Sequence, residues 1–102
     1  MSSRYTIRLT RNADKDLTRL RNLRAQAADA LLQLQENPQA GHTLVGSLSG
    51  VRSLAFALQG RAYRAAYVVL EEEQTCLLFL VGPRENFYDK AKRRYKALQR
   101  QA

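Results

Sequence analysis

The chain has 102 residues, 45% of them hydrophobic, so it can bury one core but is too short for two sizeable domains. We therefore predict a single domain over residues 1–102. Lysine and arginine total 17 against 9 acidic residues, and the formal net charge of +8 favours contact with a polyanion or an acidic protein surface. The lone cysteine, Cys76, excludes a disulfide within the chain and lies in an apolar run that predicts a buried thiol.

Residues 4–9 alternate between polar and apolar side chains, which predicts a half-buried strand. Helical spacing follows from about Asn12 to Glu36, with Thr10 or Asn12 as the N-cap. One helix of that length would reach roughly 37 Å, longer than the ~26 Å diameter expected of such a domain. We therefore predict two antiparallel helices, broken near Arg21 to Arg24.

Residues 39–50 are rich in glycine and serine and predict an irregular connection. A period of two then predicts three strands, joined by turns at Gln59-Gly60 and Glu71–Gln74, over residues 53–58, 61–70 and 75–82. The last strand is apolar on both faces, so we place it inside the sheet. A helix from Glu85 or Asn86 to Gln99 completes the chain.

This order, an N-terminal strand, a helical hairpin, a three-stranded antiparallel meander and a C-terminal helix, predicts an α+β fold with one small sheet packed by helices. The hairpin should cover one face of the sheet. The other face is then left to the terminal helix and to whatever the protein binds. No apolar run has the length of a signal peptide or approaches the ~20 residues of a membrane span, so the default expectation is a cytoplasmic protein.

Familiar catalytic and metal-binding signatures are missing, so no metal or small-molecule cofactor is expected. His42, the one histidine, lies in the Gly/Ser connection without a nearby acid to orient it, which favours a solvated side chain. Arg64 is more informative, because it shares a strand face with Val68 and Leu70 and must be hydrogen-bonded by something there.

Arg84 follows the last strand, and Tyr88 lies four residues further on, close in space if a helix begins at once. Arginines with a tyrosine hydroxyl suit RNA cleavage, in which a ribose 2′-hydroxyl attacks the phosphodiester and guanidinium groups stabilise the developing charge. An equally open alternative is that Arg64 forms a fold-supporting ion pair with Glu85 or Asp89.

Further phosphate contacts are expected from basic residues around the hairpin strands and in the terminal helix, where no acid occurs after Asp89. The residues we assign to RNA binding are Arg52, Arg61, Lys90, Arg93 and Arg94.

Four segments, YTIRLTRNADKDLTRL, LLQLQENPQ, GRAYRAAYVV and FLVGPRENFYDKAKRR, resemble the RelE/ParE toxin superfamily across nearly the whole chain. The resemblance implies a toxin held inactive by an antitoxin encoded beside it and, in RelE-like members, a ribosome-dependent endonuclease that cuts mRNA. It matches Arg64 to the strand arginine that stabilises the transition state, Arg84 to the basic residue that assists the leaving group, and Tyr88 to the aromatic residue that orients RNA.

The sequence departs from the RelE pattern at Ala55 and Ala57, where RelE-type enzymes usually carry basic residues. This departure leaves open the ParE-like branch, whose members poison DNA gyrase without a nuclease site. The segment from Arg84 to Tyr88 favours the RelE side. A third alternative is a basic module that binds RNA or DNA non-specifically through the tail from Lys90 to Arg100.

Overall fold

The computed structural model describes residues 4–101, with the backbone alone at residue 101. Within that range it contains three α-helices and five strands. In chain order these are β1 (Thr6–Leu9), α1 (Arg11–Arg19), α2 (Arg24–Leu31), β2 (His42–Thr43), β3 (Arg52–Leu58), β4 (Arg61–Leu70), β5 (Thr75–Pro83) and α3 (Phe87–Gln101). The predicted α+β order is confirmed.

The strands form one sheet in the order β1-β5-β4-β3-β2. Strands β2 to β5 pair antiparallel, whereas β1 runs parallel to β5, from Thr6 opposite Thr75 to Leu9 opposite Leu78. The crossover between these parallel partners carries the helical hairpin. As predicted, β5 lies inside the sheet, with neighbours on both sides.

A bulge interrupts the pairing of β4 with β5. Ala66 is opposite Leu80 while Tyr67 is opposite Leu78, so Phe79 is an extra residue in β5. Phe79 and Leu80 consequently both belong to the apolar cluster under α3, as expected where a bulge breaks the alternation of side chains.

The helical hairpin packs on one face of the sheet. The Thr10 hydroxyl accepts the Ala13 N–H at 3.1 Å and caps α1, and Arg21, with φ of +53°, ends the first helical stretch, so the predicted cap and break are both confirmed. The buried side chains of this layer include Ala13, Leu17, Ala27, Leu31, Leu34, Leu54, Leu58, Tyr63, Ala65, Tyr67, Cys76 and Leu78.

The opposite face carries α3, which docks through Phe87 and Ala91 onto Leu48, Val51, Ala66, Phe79 and Leu80. The helix begins one or two residues after the predicted start at about Glu85 or Asn86. Asn86 adopts φ of +57°, a left-handed turn conformation that the helix cannot include, and the helix therefore begins at Phe87.

Asp16 and Arg94 connect the two layers around the edge of β5. The Arg94 guanidinium donates to both carboxylate oxygens of Asp16, at 2.6 and 3.1 Å, and to the Phe79 carbonyl at 3.0 Å. The same carboxylate accepts the Val81 N–H at 2.9 Å, beyond the point where β1 stops pairing. This clamp ties α1, β5 and α3 together.

The connection at residues 39–50 is more ordered than predicted, because it contains β2 and a 3₁₀ turn over residues 46–48. The buried Tyr67 hydroxyl holds its start by accepting the Gly41 N–H at 2.9 Å and donating to the Pro38 carbonyl at 2.8 Å. A Cβ on Gly41 would lie 2.8 Å from both the Ser53 carbonyl oxygen and this hydroxyl, so the position requires glycine. Across the described residues, no helix combines the length and apolar character that a membrane crossing requires.

Candidate nucleic-acid interface

A shallow trough lies at the end of the sheet nearest the β3–β4 turn, on the face against which α3 packs. Small residues form its floor, namely Ala55, Ala57, Ala62 and Gly82. The three alanines are exposed, and a Cβ on Gly82 would meet nothing within 4 Å. Arg64 lies in this floor, opposite Ala55 on one side and Gly82 on the other. Neither neighbour has a side chain large enough to cover Arg64, which is partly exposed.

Tyr88 of α3 forms one wall of the trough. The Arg64 Cζ atom lies 5.8 Å from the centroid of the Tyr88 ring, within the range of a cation–π contact. The adjacent Phe87 is buried and packs edge-to-face against Tyr88, with 5.6 Å between centroids, while Tyr88 itself is 42% exposed. Phe87 thus anchors the start of α3 and holds Tyr88 over Arg64, with part of the Tyr88 ring exposed.

The alternative ion pair between Arg64 and Glu85 or Asp89 does not form. Glu85 faces Arg61 instead, with 3.6 Å between Oε1 and Nη2, and both side chains are largely exposed. No ion pair or side-chain hydrogen bond involves Arg64 within residues 4–100. Its charge is therefore available to an incoming anion, whereas the exposed Arg61–Glu85 pair adds little stability.

Arg84 lies at the same end of the sheet. Its backbone N–H donates to the Ala62 carbonyl at 3.3 Å, two residues from Arg64 along β4, and its side chain is exposed. Because α3 begins only at Phe87, Arg84 and Tyr88 are not one helical turn apart. Of the predicted site residues, Arg64, Tyr88, Arg61 and Arg84 lie at this end of the sheet. Arg61 is on the other sheet face, with 6.0 Å between its Cζ atom and the Tyr63 ring centroid.

The remaining predicted residues lie elsewhere. Arg52 donates to the carbonyls of Gln39 and Gly41, at 3.2 and 2.8 Å, and holds the start of the connection. Arg94 is occupied by Asp16 and has a structural role, so we leave it out of the site. Lys90 lies on the flank of α3 away from Tyr88, in a depression that it shares with Asp16 and Gly82, and Arg93 is exposed.

His42 lies in the segment that the sequence predicts to be an irregular connection. In the structure it belongs to β2 and is opposite Ser53, so its exposed side chain shares the sheet face of the trough. Two strand spacings and two residues separate it from Arg64, roughly 12 Å between Cα atoms. No local signal in the sequence indicates this placement, because it depends on pairing with a strand further along the chain.

The arrangement offers a guanidinium, an exposed aromatic ring and a floor without bulky side chains. A phosphate can approach Arg64 closely, and a base or ribose next to it can contact Tyr88. No cluster of metal-ligating side chains exists in the described part of the chain. The chemistry available here is electrostatic stabilisation of a phosphate group.

Comparisons with known proteins agree with the fold. A family model described as ParE-like toxin of type II bacterial toxin–antitoxin system matches residues 7–92. The chain is 29% identical to a chain of the toxin–antitoxin complex RelBE2 from Mycobacterium tuberculosis, with a TM-score of 0.68, covering 82% of this chain and 95% of that one. It is 25% identical to the isolated RelE toxin of Escherichia coli, with a TM-score of 0.63 and coverage of 89% and 98%. No curated protein sequence gives a significant match.

Proposed function

The chain belongs to the ParE-like toxins of type II bacterial toxin–antitoxin systems, and from the geometry around Arg64 we propose that it is a ribosome-dependent mRNA endonuclease that acts through this residue. The observation that carries this proposal is the partly exposed Arg64 guanidinium against the Tyr88 ring, without an acidic partner in residues 4–100. A cognate antitoxin would neutralise the protein in the cytoplasm, and RelE of Escherichia coli and its Mycobacterium tuberculosis relative occur in toxin–antitoxin complexes.

In the proposed reaction a ribose 2′-hydroxyl attacks the adjacent phosphorus, and the bond to the 5′-oxygen of the next nucleotide breaks. The products are a 2′,3′-cyclic phosphate and a 5′-hydroxyl, and the proton of the 2′-hydroxyl passes through solvent to the leaving oxygen. Arg64 donates to the non-bridging oxygens as their charge increases, Tyr88 stacks on the neighbouring base, and Arg84 approaches the leaving oxygen. DNA lacks the attacking hydroxyl and is not a substrate.

The test is cleavage of a defined message by purified protein with purified ribosomes, followed by mapping of the new RNA ends. Loss of one preorganised donor to a developing oxyanion typically costs about 10²–10³ in kcat, and we expect this loss for Arg64→Ala. Arg64→Lys keeps the charge but lacks the planar guanidinium group, so its activity should fall between those of the unaltered protein and Arg64→Ala. Arg24→Ala, on α2 at the opposite sheet face, is the control. Messages that stay whole while the protein still arrests growth would refute the nuclease.

A second candidate is inhibition of DNA gyrase without catalysis. The specific observation in its favour is that Ala55, Ala57 and Gly82 leave Arg64 as the one cation of the trough floor. Under this alternative, purified protein abolishes supercoiling by DNA gyrase, and no new RNA ends appear in translating extracts. The two assays on one preparation therefore separate the candidates.

A further inference from the structure

The basic residues of α3 fall on different sides of the helix. Tyr88, Lys92 and Lys96 are spaced four residues apart and so follow one flank. Lys92 and Lys96 line one shallow depression together with Ser47, Tyr95 and Gln99. Lys90 and Arg94 belong to the other flank, in a separate depression that contains Asp16.

The Lys92–Lys96 flank carries two exposed cations and is held in place. The Tyr95 ring stacks on Phe79 with 5.8 Å between centroids, and its hydroxyl donates to the Ser49 carbonyl at 3.4 Å. This contact holds the connection that precedes β3 against the flank. Lys92 and Lys96 are both exposed, and neither forms an ion pair within residues 4–100.

We propose that Tyr88, Lys92 and Lys96 form a track for single-stranded RNA that leads out of the trough. A base stacks on the exposed part of the Tyr88 ring, and the following backbone phosphates meet Lys92 and Lys96, each about 6 Å further along the helix axis. This inference rests on the proposed nuclease, because it takes the trough as the site of cleavage. A polyanion fits the flank because Lys92 and Lys96 are both exposed and neither has an acidic partner within residues 4–100.

The experiment measures binding of a 2′-O-methyl oligouridylate of about 12 nucleotides, a length within the range of single-strand binding sites. Its blocked 2′-oxygen prevents the proposed cleavage, so binding is measured separately from catalysis. Each lysine that contacts a phosphate of a single strand contributes about 0.7 to the salt dependence of log K, so Lys92→Ala/Lys96→Ala should lower that slope by about 1.4. If affinity at 1 M salt is unchanged, this corresponds to about 25-fold weaker binding at 0.1 M.

The matched control is Arg11→Ala/Lys15→Ala, which removes two exposed cations with the same four-residue spacing from α1. RNA binding by this control should change by less than about threefold, because Arg11 and Lys15 lie on α1, outside the Lys92–Lys96 depression. Alanine favours helix in every one of these positions, and circular dichroism checks that the folds match.

Binding within twofold of the unaltered protein for Lys92→Ala/Lys96→Ala overturns the track. An equal loss of RNA binding in Lys90→Ala/Arg93→Ala also overturns the track, since that result would place the RNA on the other sides of α3. Probe binding that depends on Lys92 and Lys96 in a protein that cuts no message supports the track and refutes the nuclease.

Discussion

Removal of the Arg94 guanidinium tests the clamp that joins the two layers. Arg94→Ala leaves the Asp16 carboxylate, only 7% exposed, with the Val81 N–H as its remaining short hydrogen bond and Arg19 at 3.9 Å. Removing one partner of a buried pair typically costs about 3–5 kcal/mol. Because the Arg94 side chain is itself 23% exposed, we expect the lower end, about 3 kcal/mol. For a chain of this length that corresponds to a fall in Tm of roughly 15 °C.

The assay is urea and thermal unfolding of Arg94→Ala, Asp16→Ala and the double variant. A double-mutant cycle should give a coupling energy of about 2 kcal/mol or more, since the two residues share their hydrogen bonds. Arg93→Ala is the control, because Arg93 is exposed on the neighbouring position and its loss should cost less than about 0.5 kcal/mol. If Arg94→Ala and Arg93→Ala unfold at the same temperature, the clamp does not stabilise the fold.

Three further predictions concern single residues. Gly41→Ala forces a Cβ within 2.8 Å of the Ser53 carbonyl and the Tyr67 hydroxyl, so it should cost about 1–3 kcal/mol of unfolding free energy, and an unchanged Tm would contradict the close approach. Burial raises the pKa of the Cys76 thiol from 9.0 to about 11. The unfolded chain then ionises first, and the free energy of unfolding should fall between pH 9 and pH 11 by about 2–3 kcal/mol more than in Cys76→Ala. Parallel pH curves for the two proteins would contradict this. His42→Ala should leave message cleavage within about threefold, because His42 is roughly 12 Å from Arg64, and a hundredfold loss would show that the imidazole takes part in proton transfer.

Local patterns in the sequence were sufficient for most of the fold. Alternation in β4 correctly placed Arg64 on the face opposite Tyr63 and Tyr67, because a strand has a period of two whatever its neighbours are. Thr10 and the break at Arg21 were likewise predictable, since capping and chain length are local properties.

Long-range pairing explains what the sequence did not predict. Arg94 was assigned to RNA because the tail after Asp89 contains no acid, but its partner Asp16 lies 78 residues earlier in the chain. The two-residue strand β2 was likewise read as loop, because its pairing depends on β3 rather than on its own composition. The candidate site was only partly predictable, because Arg64 and Tyr88 are near one another only after α3 has docked on β4 and β5.

The extra residue at Phe79 determines which side chain of β5 lies in the floor of the trough, opposite Arg64. If β5 paired regularly from Leu78 onward, without a bulge, Val81 and Pro83 would lie on the sheet face of Arg64. Gly82 would then lie on the face of the helical hairpin. Insertion of one amino acid between Leu78 and Gly82, with the bulge kept, would therefore place Val81 opposite Arg64 and fill the cleft with an aliphatic group. Natural insertions should be tolerated at the Gln59-Gly60 hairpin tip and selected against between Leu78 and Gly82.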